Sequence, residues 1–161
     1  MYPTFVADAM LGATARKLRA LGFDTEYFER GLDPELKKLA RSRGRIILTS
    51  DKALSQLAAR EGVTTFFVNG RSEVARFRSI ALQASLNSVD LARGPTRCTS
   101  CNQALTLVAK EKIGDRVPSS ILTRHRTFYE CPRCGKLFWK GSQWSRLRRL
   151  SYLLRQPVPK P

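Results

Sequence analysis

Gly44-Arg45-Ile46-Ile47-Leu48-Thr49-Ser50-Asp51 holds three consecutive branched apolar residues between a helix-stopping glycine and a helix-starting acid. A strand wetted on one face alternates apolar with polar. A run that does not alternate belongs to a parallel sheet covered on both faces. Beyond it, Lys52 to Glu61 has helical spacing, with Leu54, Leu57 and Ala58 inward. Upstream, residues 2–7 predict a short strand that ends at Asp8. Ala9 to Leu21 predicts a helix with Leu11, Ala15, Leu18 and Leu21 on one face and Gly22 as its cap. Phe23 to Phe28 reads as a second strand. Asp33-Pro34-Glu35-Leu36 starts a helix, Asp33 as cap and Pro34 in the first turn, running to Arg43. Downstream, Val63 to Val68 is a strand and Ser72 to Leu86 a helix, with Val74, Phe77 and Ile80 aligned. Strands alternating with helices of about a dozen residues mean an α/β fold: a parallel sheet of about four strands in a three-layer domain over residues 1–90.

Charge separates the rest of the chain from this domain. The 161 residues carry 29 Lys and Arg against 13 acids, a net of +16. Residues 1–94 hold 15 basic and 10 acidic residues, whereas the shorter segment 95–161 holds 14 and 3. Clustered Lys and Arg fit a nucleic-acid surface, because phosphate binding is driven by counterion release. No apolar run approaches the roughly 18 residues of a membrane span, and basic residues follow the first apolar stretch instead of preceding it, so neither a membrane protein nor a secretory signal is expected. The expected location is cytoplasmic and the expected partner RNA, ribosomal RNA and tRNA being candidates.

The four cysteines form two C-x-x-C pairs, Cys98/Cys101 and Cys131/Cys134, separated by 29 residues. Two such knuckles fit a tetrahedral zinc–thiolate site, and four thiolates leave no open position, so the zinc is structural. Asn102 and Gly135 follow the pairs, and both tolerate the left-handed turn that aims backbone N–H groups at thiolates. After a linker at 87–97, strands are expected at Ala104–Ala109, Thr127–Glu130 and Lys136–Lys140, with a polar loop from Gly114 to Arg126. This predicts a zinc ribbon over 95–141, followed by a basic helix and tail over 142–161. Trp144, Leu147, Leu150 and Leu154 line one side of that helix. Arg124, Arg126, Lys140, Arg146, Arg148, Arg149 and Arg155 are the RNA-binding candidates. Trp139 and Trp144 are expected to pack more readily than to stack on bases.

Ligands of open parallel sheets bind outside the carboxyl ends of the strands. Asp8, Asp33 and Asp51 fall at that edge by position. Carboxylates converging there make a hard-oxygen site for Mg²⁺ or Mn²⁺. On a basic protein, such a site suggests metal-assisted phosphodiester hydrolysis. Asp33 and Asp51 also suit plain helix capping. The single histidine, His125, lies away from the acids.

Phe5-Val-Ala-Asp8-Ala-Met-Leu-Gly12, then Leu18-Arg-Ala-Leu-Gly-Phe-Asp24-Thr25, resembles the opening of the PIN-like ribonuclease family of the mut-7 C-terminal domain type. The segment from Gly44 through Asp51 to Leu54 resembles its second signature. Arg97-Cys-Thr-Ser-Cys101-Asn and Cys131-Pro-Arg-Cys134-Gly-Lys-Leu-Phe-Trp139-Lys-Gly-Ser-Gln-Trp144 resemble its ribbon and tail. The resemblance implies a PIN-like fold whose acids, Asp8, Asp51 and by a looser match Asp33, hold Mg²⁺ or Mn²⁺ to hydrolyse RNA. The chain departs from the family at Ser50, where Arg is usual, and at Gln143, where His is usual; Asn69-Gly70-Arg71 follows the fourth strand where many PIN domains have an acid. These departures keep a second expectation open: a catalytically weak or inactive RNA-binding or ribosome-associated protein on the same scaffold.

Overall fold

The computed structural model describes residues 2–86 and 96–155, without the side chains of 153–155. Four strands, β1 (Phe5–Ala7), β2 (Thr25–Tyr27), β3 (Ile46–Thr49) and β4 (Thr65–Phe67), form one parallel sheet in the order β2-β1-β3-β4. Helices α1 (Gly12–Ala20), α2 (Asp33–Arg43), α3 (Lys52–Arg60) and α4 (Glu73–Gln83) alternate with them. All three residues of β1 are buried, as its central place requires. Side chains alternate across it: Phe5 and Ala7 join Leu11 and, from α1 and α4, Ala15, Leu18, Phe77 and Ile80 on one face. Val6 joins Leu36, Ala40, Leu54 and Ala58 of α2 and α3 on the other. These are the three expected layers.

The local signals explain the boundaries. Gly44 adopts φ +60°, the left-handed geometry that ends α2. Gly12 is small because a Cβ there would meet the Tyr27 ring at 2.9 Å. Two details differ from the expectation. The chain after β1 starts with a 3-10 turn, Ala9–Leu11, because the Asp8 carboxylate accepts from the Met10 N–H and tightens the entry. Leu32, not Asp33, is the residue before α2. Glu35 reaches back to accept from the Leu32 N–H at 2.8 Å, and Asp33 is the first helical residue.

The cysteine-bearing segment forms an antiparallel sheet, β5 (Thr106–Val108), β6 (Phe128–Glu130) and β7 (Leu137–Trp139), in that order. The stretch expected as a polar loop holds a 3-10 turn at Gly114–Arg116 and a short helix, α5 (Ser119–Arg124). Ile113 and Val117 bury against Phe128, with Ile121, Leu122 and Trp139 packed around them. Most of the expected linker, residues 87–95, lies outside the described residues.

The last helix, α6 (Ser142–Arg155), turns back onto the first domain and packs on α4. Trp144 and Leu150 are buried in the same cluster as Phe5, Leu18 and Phe77. The first knuckle docks as well. Arg19 of α1 is 6% exposed and donates to the carbonyls of Thr25 at 2.7 Å and of Thr99 and Ser100 at 3.0 Å each. Asn102 accepts from the Thr25 N–H at 3.1 Å and donates to Asp24 at 2.8 Å, while Arg97 pairs with Asp24 at 3.2 Å. Burial of Trp144 in the sheet's core has a direct consequence. Trp144→Ala should cost about 3–5 kcal/mol of the α/β domain's stability in urea unfolding. A loss under about 0.5 kcal/mol, the surface range, would show α6 to be a loose appendage.

Candidate active site and metal centre

The sheet order creates one crevice. α1 leaves β1 toward one face and α3 leaves β3 toward the other, so the neighbouring carboxyl ends of β1 and β3 lie at a topological switch point, where open α/β sheets bind ligands. Asp8 and Asp51 stand there. Asp8 is 7% exposed, and its backbone N–H donates to Leu48 O at 3.0 Å, clamping the two strand ends together. Its Oδ1 accepts from the Met10 N–H at 3.0 Å, and its Oδ2 accepts from the Thr49 hydroxyl. Burial raises the carboxyl's pKa above its ordinary value, and hydrogen bonds from Thr49, Met10, Leu11 and Ser50 only partly oppose this. Thr49 is the link to the second acid, since its Oγ1 accepts from the Asp51 N–H at 2.9 Å.

Asp51 is exposed and caps α3, its Oδ1 accepting from the N–H groups of Ala53 at 2.7 Å and Leu54 at 3.0 Å. Asp33 is exposed at the start of α2, and its side chain makes no hydrogen bond or ion pair among the described residues. Among the described residues no three carboxylates lie within ligating distance of one point. Asp8 and Asp51 nonetheless put two carboxylates at one edge, and Mg²⁺ is commonly bound by one or two carboxylates plus substrate phosphate. Asp8 is a desolvated acid with no ion pair among the described residues, the electrostatic condition that a divalent cation relieves. Thr49, which the sequence reading passed over, carries the one signal available: a hydroxyl closing an apolar run, wholly buried.

The cysteines do converge. Their four Sγ atoms all lie within 4.8 Å of one another, with Cys98–Cys134 at 3.6 Å and Cys101–Cys131 at 3.4 Å. Asn102 and Gly135 take φ +66° and +70°, the left-handed turns expected after each pair. Burial pushes the Cys98 thiol up to about 12. At Cys131 burial acts the same way, but the N–H groups of Cys134 and Arg133 outweigh it and bring the thiol down to about 7. A soft, four-sulfur, closed donor set of this kind fits zinc. Arg19, also unforeseen, sets its positive charge beside Cys98 and Cys101.

The basic candidates divide. Arg124 and Arg126 are exposed on the ribbon. Lys140 places its Nζ 5.8 Å from the centre of the Trp144 ring. That contact and the burial of Trp144 give the tryptophan a packing role; Trp139 packs against Phe128 and His125. On α6, Arg146, Arg148 and Arg149 are exposed, and only the backbone of Arg155 is described. No helix among the described residues is long and apolar enough to cross a membrane.

No curated protein and no solved structure matches the chain. The family model of the Mut7-C RNAse domain matches residues 3–151, from the strand that precedes Asp8 to the helix that buries Trp144. The acid edge, the cysteine cluster and most of the returning helix fall within that span, and the chain belongs to the Mut7-C RNAse domain family.

Proposed function

We propose that this protein is a cytoplasmic, metal-dependent endoribonuclease that hydrolyses RNA phosphodiester bonds. In this reading Asp8 and Asp51 hold Mg²⁺ or Mn²⁺, Asp33 completes the acid set from the start of α2, and the four cysteines hold a structural Zn²⁺. The observation that carries it is Asp8: a desolvated carboxylate at the switch point of a parallel sheet, in a chain of the RNAse-domain family. A bound Mg²⁺ or Mn²⁺ would supply an activated water and neutralise charge developing on the scissile phosphate. The protein's own part is orientation. Thr49 and the Met10 N–H fix the Asp8 carboxylate, and the Asp51 N–H fixes Thr49 in turn. The α3 cap holds one oxygen of Asp51, and among the described residues Oδ2 accepts no hydrogen bond. The basic ribbon and α6 supply phosphate contacts for RNA, ribosomal RNA or tRNA among the candidates.

A second reading is RNA binding without efficient cleavage, including association with the ribosome. It is favoured by the absence, among the described residues, of a third carboxylate close to Asp8 and Asp51. Ser50, where the family usually has Arg, donates to Val68 O at 3.1 Å instead of reaching outward.

Asp8→Asn separates the readings. RNA cleavage in Mn²⁺ should fall roughly a hundredfold or more, since metal stabilisation is worth several kcal/mol, while RNA affinity stays near wild type. Wild-type cleavage rates in this variant would transfer support to the second reading.

The raised pKa of Asp8 gives an independent measurement. The folded chain binds this proton more tightly than the unfolded chain does, so the wild type loses stability as pH rises from the ordinary carboxylate range through the folded-state value. In metal-free buffer, the thermal stability of Asp8→Asn should therefore gain on wild type from acid toward neutral pH. Added Mn²⁺ should stabilise the wild type and not the variant. A gap that is flat with pH would show that Asp8 is not a desolvated acid.

Metal analysis should find one Zn²⁺ per chain. Arg19→Leu leaves the Thr99 and Ser100 carbonyls without their buried donor, at about 1–3 kcal/mol. Zinc release to a chromogenic chelator should then be faster than from wild type. Equal release rates would detach Arg19 from the metal centre.

A further inference from the structure

A cleft of about 530 Å³ lies between α1, α6 and the first cysteine knuckle, lined by Ala13, Arg16, Lys17, Ala20, Glu73, Thr99, Gln143, Arg146 and Leu147. Its construction follows from helix periodicity. Ala13, Arg16, Lys17 and Ala20 are the i, i+3, i+4 and i+7 positions of one face of α1, and Gln143, Arg146 and Leu147 are the matching i, i+3 and i+4 positions of α6. The short side chains of Ala13 and Ala20 on α1 leave space unfilled, and Arg16 and Arg146 stand on the α1 and α6 walls. The α1 wall spans eight residues, Ala13 to Ala20, about 10 Å at the α-helical rise.

The ends of the cleft give it meaning. Ala13 lies in the first turn of α1, just after the Asp8 turn, and Glu73 opens α4 after the carboxyl end of β4. Both belong to the sheet edge that holds the acids. Thr99 belongs to the cysteine knuckle docked at the far end of α1 by Arg19. The cleft therefore runs from the acid edge to the knuckle.

Its charge is selective. Among the described residues Arg16 and Arg146 have no carboxylate partner, whereas Lys17 pairs with Glu73. That pair is about two-fifths exposed on each side and thus weak and exchangeable. Arg148 and Arg149, although on the same helix, lie outside the lining. Two facing guanidinium groups suit phosphate oxygens, and an apolar floor of Ala13, Ala20 and Leu147 suits a base or ribose.

We propose that this cleft is the track of the RNA strand next to the acid edge, with Arg16 and Arg146 gripping its phosphates from opposite walls and Glu73 yielding Lys17 to the incoming phosphate. The proposal rests on the RNA reading above and assigns the strand a path within it.

The test is the affinity of zinc-loaded full-length protein for a short, labelled single-stranded oligoribonucleotide, read by fluorescence anisotropy over a salt series without Mg²⁺ or Mn²⁺. Arg16→Ala with Arg146→Ala should weaken binding by about tenfold per arginine and lower the log–log salt slope by about 0.7 for each lost contact. Glu73→Gln should tighten binding severalfold. Arg148→Ala with Arg149→Ala removes the same formal charge and should cost less than a tenth as much affinity as the cleft pair. All these side chains are exposed, so thermal stability should stay near wild type and serves as the folding control. Equal losses in the two double variants, or a cleft variant that binds as wild type does, would overturn the cleft while leaving RNA binding intact. A wild type with no RNA affinity would overturn both.

Discussion

A buried guanidinium holds this molecule together. Arg19 lies on the inner side of α1, where Ala15 and Leu18 also point, yet its Nε and Nη1 donate to carbonyls of β2 and of the first cysteine knuckle. Burying a cation is costly unless protein acceptors replace the lost water. Here the cost is offset only while the knuckle sits where it does. The knuckle's position therefore fixes the ribbon against the sheet, and the ribbon hands the chain to α6 in the register that buries Trp144 beside Phe77 and Ile80. Sheet, ribbon and last helix form one packed unit because of these two contacts, one polar and one apolar.

That arrangement decides where charge is available. Asp24, beside the dock, is drawn into pairs with Arg45 at 2.6 Å and Arg97 at 3.2 Å, and Glu26 into pairs with Arg43 and Arg45. Acids near the amino ends of the strands are thus consumed by structure. At the opposite edge Asp8 has hydrogen-bond donors but no cation among the described residues, and burial raises its pKa. The protein pairs Asp24 and Glu26 with arginines where the ribbon docks, whereas among the described residues neither Asp8 nor Asp51 at the switch point has an ion pair. The proposed function puts its divalent ion at that edge.

Much of this was legible in the sequence. The unalternating Ile46-Ile47-Leu48 run announces a doubly covered strand, and the alternation of strand and helix does the rest, because each element's period reflects one buried face. The cysteine spacing and the Asn102 and Gly135 turns are local chemistry and read directly. What escaped was whatever depends on a distant partner. Nothing near Arg19 shows that its acceptors lie some 80 residues away. The leucines of α6 show that it buries a face but not which surface receives it. Between Gly114 and Arg126 the apolar residues Val117, Ile121 and Leu122 have helical spacing, but Pro118 interrupts the pattern and Pro118 proves to be the entry to α5. Among the acids, Asp51 was read both as a cap and as a ligand. The structure displays the cap, and its second role rests on the proposal.

The unity of sheet, ribbon and α6 is the premise on which both the metal edge and the RNA track stand. Backbone hydrogen exchange by mass spectrometry, with zinc bound and after its removal by a chelator, tests it most directly. Loss of the metal should reduce protection in the last turn of α1, in β2 and along α6 as well as in β5 to β7. Deprotection confined to the ribbon, with α1, β2 and α6 unchanged, would contradict the account.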